Sequence, residues 1–107
     1  VRPAFVERHT VLSSVVLIIQ HARQRASNAE CDMTVSIRHQ QAVISPSVAC
    51  SNGDRHVHAI AMKGGRFVEE IPRLTLSPLG VLTPKGIKIQ LYDSGYSSLI
   101  LDNLQIQ

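Results

Sequence analysis

Apolar residues return at spacings of three and four from Val6 to Ala29: Val11, Val15, Ile18 or Ile19, Ala22, Ala26 and Ala29. Leu12 and Val16 widen the stripe. This period predicts one amphipathic helix over about 6–29, with Val11, Val15, Ile19, Ala22 and Ala26 as its packing face. Pro3 suits a helix start, Thr10 is a local cap candidate, and Asn28 is a stop signal. His21, Arg23 and Arg25 fall near the helix end, where cations oppose the negative pole of the dipole. Beyond Ala29 the period changes to two. Met33, Val35 and Ile37 alternate with Thr34, Ser36 and Arg38, and the run Ala42-Val43-Ile44 follows a polar break. Val57, Ala59 and Ala61 alternate with His56, His58, Ile60 and Met62; Leu74 and Leu76 make a short strand stopped by Pro78. The stretch 66–71 reads as a short strand or an irregular segment, and Gly80, Pro84 and Gly86 punctuate a loop. Ile87, Ile89 and Leu91 form a strand, 97–101 its return, and 104–106 a terminal strand. One helix followed by many short strands is an α+β domain: an N-terminal amphipathic helix packed on antiparallel β-sheet. The small side chains of Ala22, Ala26 and Ala29 let the helix lie close to the sheet.

The only two cysteines, Cys31 and Cys50, bracket the first hairpin. If that hairpin folds about Gln40 and Gln41, Ile37 faces Ile44, Val35 faces Pro46, and Cys31 faces Cys50. Directly opposed residues come within disulfide reach. An even cysteine count in a small chain favours an oxidised bridge and an oxidising compartment; the alternative is two unrelated buried thiols.

At 107 residues the chain is one domain, spanning 1–107. With 44% hydrophobic but only 4% aromatic residues and no Trp, its core must be aliphatic. Charged residues are 18%, which suits an extracytoplasmic protein or a subunit packed among others. The net charge of +3 is too small to require a nucleic acid. The longest apolar run, Val15 to Ile19, is far short of the roughly 20 residues that span a bilayer, and Val1 is no start residue. The expectation is a soluble body trimmed from a longer protein.

Little of the chain reads as chemistry. His56 and His58 share one face of a strand, as two metal ligands would, but a third ligand among His9, His21 and His39 cannot be placed from the sequence. A polar sheet face is the simpler account, and no metal is expected. No Gly-x-Ser-x-Gly elbow and no Gly-x-x-x-x-Gly-Lys loop occurs, and Glu69 and Glu70 alternate sides on a strand. Lys63 and Arg66 flank two glycines, a turn able to hold an anion or nucleic acid through backbone amides. Other basic residues (Arg23, Arg25, Arg38, Arg55, Arg73, Lys85, Lys88) are dispersed, with few aromatics for stacking. The sequence therefore predicts no enzyme, no cofactor and no small-molecule substrate.

The order of parts resembles a known family. An amphipathic helix carrying Ala22-Arg23 and Ala26 runs into the strand Thr34-Val35-Ser36-Ile37. This is similar to the "Ala-Arg-x-x-Ala" helix and "x-Val-x-Val" strand of the type IV pilin-like family, in its minor pilin and H-type pseudopilin branch. Leu76-Ser77-Pro78-Leu79-Gly80 resembles the branch's "Phe-x-x-x-Gly" segment, with Leu in place of Phe. The terminal Asp102-Asn103-Leu104-Gln105-Ile106 departs from it in lacking a glycine. The resemblance implies a structural subunit of a surface pilus, or of a type II secretion pseudopilus. Its partners would be other pilin or pseudopilin subunits. It would be held in the inner membrane by an upstream apolar half-helix, with its domain in the periplasm and later on the cell surface. A DNA-binding minor pilin is the remaining variant of the same fold.

Overall fold

The structure, a computed structural model, describes residues 4–38, 40–47, 50, 55–62, 66–92 and 98–107. Helix α1 spans Ala4–Ala29, 26 residues without Gly or Pro, and is about 39 Å long at about 1.5 Å per residue. It starts before Thr10, which therefore lies within the helix and not at its N-terminus. It also runs past Asn28. The turn that ends it is Glu30, at φ 55°, with the Cys31 N–H donating to the Ala26 carbonyl at 3.3 Å. That is a Schellman-type cap built on a non-glycine residue. The final turn carries no basic residue, so Arg23 and Arg25 do not act as dipole partners there. Among the described residues, no helix is long and apolar enough to cross a membrane, which says nothing of a β-barrel.

Among the described residues eight strands follow: β1 Met33–Ile37, β2 Gln41–Pro46, β3 His58–Ala61, β4 Leu74–Leu76, β5 Leu82–Thr83, β6 Lys88–Gln90, β7 Ser98–Ile100 and β8 Gln105–Ile106. They form two antiparallel sheets, ordered β3-β2-β1-β4-β5 and β6-β7-β8. The fold is α+β, one N-terminal helix packed on antiparallel sheet, as its periodicity predicts. The helix lies on β1 and β4.

The first hairpin corrects the expected register. Arg38 N–H donates to the Gln41 carbonyl at 2.9 Å, so the loop closes between these two residues and not about Gln40 and Gln41. Met33 then pairs with Pro46, Val35 with Ile44, and Ile37 with Ala42. The shift is two positions along β2. Because side chains alternate with a period of two, an even shift leaves every apolar residue on its intended face. Sequence periodicity could not distinguish the two registers for this reason. Two further differences are smaller. The 82–83 stretch, expected as loop, pairs with β4 through Leu76 and Leu82, and 66–71 is irregular apart from a bridge between Phe67 and Leu91.

The core is a single cluster. Leu12, Val15, Ile19, Ala22 and Ala26 of α1 are fully buried with Met33, Val35, Ala42, Ile44, Leu74 and Leu76 of the larger sheet. Ile89, Leu99 and Leu101 extend it into the smaller sheet. Val11 is also buried. The opposite face of the larger sheet carries Thr34, Ser36, Val43, Ser45, Thr75 and Thr83, alternating with the core positions as a one-sided sheet requires.

Candidate interaction surface

The junction between helix and sheet is covalently tied. Cys31 and Cys50 form a disulfide with Cα atoms 5.6 Å apart. In the observed register Cys50 is not opposite Cys31; the bridge lies outside the paired strands, where the chain leaves α1. It closes a loop of 19 residues' separation, worth about 3 kcal/mol through the unfolded chain. Beside it, Ser47 N–H donates to the Asp32 carbonyl at 3.1 Å.

Two arginines of α1 are committed to the same structure. Arg25 reaches over the sheet and donates to the His56 carbonyl at 2.6 Å and the Ile44 carbonyl at 3.5 Å, fixing the start of β3. Arg23 lays its stem under the β4–β5 turn: a Cβ at Gly80 would stand 3.6 Å from its Cδ. Gly80 has φ +86°, a conformation that L side chains rarely adopt. The Arg23 Nε is buried with no hydrogen-bond partner. Arg38 pairs with Glu70 at 3.6 Å and donates to the Ile71 carbonyl at 3.2 Å. These cations are structural struts that join elements.

Of the candidate anion pair, Lys63 lies outside the described residues. Arg66 holds its guanidinium 5.5 Å from the centre of the Tyr92 ring, while Tyr92 N–H donates to the Arg66 carbonyl at 2.7 Å. The histidines are better placed than the sequence indicated. His58 points to the helix side of β3, and its ring packs edge-on against His21 at 5.4 Å and against His56 at 6.0 Å. The helix-to-sheet crossing brings His21 to the pair; nothing in linear spacing marks it. Among the described residues, no group of three His, Cys, Asp or Glu side chains is arranged to hold a metal ion.

A hollow lies next to these rings, between α1 and β3. It is a groove of about 600 Å3, with Leu17, Ile18, His21 and Gln24 on the helix side and Ile60 and Met62 on the sheet side. Leu17 is 65% exposed in its wall. A smaller hollow of about 260 Å3 separates 68–72 from β6, with Glu69, Glu70 and Lys88 at its rim. An open groove walled by aliphatic side chains, with the Gln20 and Gln24 amides and the His21 imidazole along its helix side, is suited to receiving another chain. The chain matches no protein-family model, no curated protein and no solved structure.

Proposed function

We propose that this chain is the periplasmic and surface-exposed body of a minor pilin, with a structural role in assembling or initiating a type IV surface pilus used for attachment. The observation that carries the reading is the long N-terminal helix laid on an antiparallel sheet, with its own end tied to that sheet by Cys31–Cys50. In such a subunit α1 serves as the upper half of a spine. One side packs on the sheet through Val15, Ile19, Ala22 and Ala26, and the other, with Leu17 exposed, meets neighbouring subunits. Within the family, a cysteine at the helix end followed by a strand most resembles the minor pilin of the mannose-sensitive haemagglutinin pilus. An apolar half-helix upstream would anchor the subunit in the inner membrane before assembly. No catalytic activity, cofactor or nucleic-acid affinity is part of this function.

Deleting the gene tests the proposal. Pilus number and pilus-dependent attachment should fall while secreted enzymes reach the medium normally. Complementation with full-length protein should restore both, and complementation without the upstream apolar segment should not. Normal pili together with type II substrates retained in the periplasm would replace the pilus reading with the pseudopilin one.

A further inference from the structure

Among the described residues, no strand pairs with β3 on the side away from β2. Met62 N–H donates to the Gln40 carbonyl at 2.9 Å, and Ile60 and His58 stand in the same phase opposite Ala42 and Ile44. In an antiparallel ladder, residues of this phase turn both backbone groups towards the partner strand, and those of the other phase turn both away. The N–H and C=O groups of Ala59 and Ala61 therefore point out of the sheet, and both residues are exposed. Sheets commonly blunt such edges with Pro, a bulge or a central charge. The run His58-Ala59-Ile60-Ala61 has no proline and no formally charged residue.

We propose that the β3 edge accepts an extended, acidic strand from a partner protein, which adds to the sheet as a sixth strand. Three features choose this occupant. The outward-pointing groups of Ala59 and Ala61 repeat at strand spacing and so match an extended backbone. The groove beside them is on the helix side of the sheet, so the partner residue opposite Ile60 drops its side chain between Leu17 and Ile60. Charge then selects the partner's ends. From Arg55 to Arg66 the chain has three cationic residues and two histidines, with no Asp or Glu. The basic residues flank the strand on both sides. Antiparallel pairing of β3 with β3 of a second copy would set Arg55 towards Arg66 of the other, basic against basic. A strand with alternating aliphatic residues and acidic flanks meets no such repulsion. The inference does not rest on the pilus reading, so failure of the binding experiment below leaves the pilus reading intact, and failure of the gene deletion leaves this one.

The test is fluorescence anisotropy of the full chain with a labelled peptide of alternating Val and Thr flanked by Asp and Glu. The peptide should bind, bind roughly tenfold more weakly when Lys replaces its acidic flanks, and slow amide hydrogen exchange at Ala59 and Ala61. Methylating the peptide nitrogens that face β3 should abolish binding with the protein untouched. Ala61→Pro should do the same, because it removes only an outward N–H and leaves the Ile60 and Met62 bonds to β2 in place. Absence of binding, equal binding of the Lys-flanked peptide, or indifference to N-methylation would overturn the proposal. Concentration-dependent dimerisation that Ala61→Pro removes would also overturn it, by making a second copy the occupant.

Discussion

The two sheets are held by different means. The five-stranded sheet has the helix across it, a disulfide at the helix junction, and arginine struts from α1 to β2 and the approach to β3. The three-stranded sheet has strands of only two or three residues and depends on Ile89, Leu99 and Leu101 for its place in the core. Its turns are clasped by a polar contact: both oxygens of Asp102 accept the Gly86 N–H, at 3.0 and 3.1 Å. Two-residue and three-residue strands supply few ladder bonds of their own. The smaller sheet therefore persists because its buried side chains join a core organised by the larger one, and local opening is expected there first.

The strongest way to break this contrast is to attack the shared core from the helix. Ile19 is fully buried, and Ile19→Asp places an unpaired carboxylate among aliphatic side chains. A loss of roughly 4 kcal/mol or more is expected, enough to unfold both sheets together. Thermal denaturation followed by circular dichroism measures it; an unchanged melting temperature would remove Ile19 from the core. The disulfide comes next. Replacing Cys31 and Cys50 together by Ser should cost about 3 kcal/mol in chemical denaturation. Under native hydrogen exchange, the loss should appear as faster exchange around Met33 and Ser47. Equal acceleration at Leu99 would show that the two sheets open as one unit.

The smaller sheet can be loosened on its own. Asp102→Ala removes the acceptor for Gly86 N–H and should cost about 1 kcal/mol, the contact being exposed. Faster exchange of the Gly86 and Leu101 amides with Val35 unaffected would sharpen the contrast, and uniform acceleration would dissolve it. The smallest expected effect is a gain. Glu30 holds a left-handed conformation at φ 55° to end α1. Glu30→Gly relieves that conformation and should stabilise by roughly 0.5–1 kcal/mol, read as a raised denaturation midpoint, with the chain entropy of glycine opposing part of it.

Much of this architecture is legible in the linear pattern, and particular residues show where legibility stops. The stripe through Val15, Ile19, Ala22 and Ala26 specifies a helix face because a period near 3.6 has no other regular realisation. The alternation at Met33, Val35 and Ile37 specifies a strand and its inward side for the same kind of reason. The helix end at Ala29 is legible, but the residue that makes the cap is not: Glu30, not Asn28, takes the left-handed position, its own propensity gives no sign of that, and the Cys31–Ala26 bond is visible only in the fold. Strand β5 went unread because two residues, Leu82 and Thr83, cannot display a period. In the candidate surface, the alternation of β3 and the cations at its two ends are on the page of the sequence. That β3 is an edge is not.

The sequence by itself determined the α+β class, the aliphatic character of the core, the helix and the faces of the long strands, since each depends on composition or on a short-range period. Tertiary structure alone decided the hairpin register, because a shift of two positions preserves every face. It also decided the division into two sheets and the strand order β3-β2-β1-β4-β5, because strand pairing joins segments far apart in the chain. It brought His21 to His58 and set the groove beside a free strand edge, since both arise from how α1 crosses the sheet, a relation that no local pattern encodes.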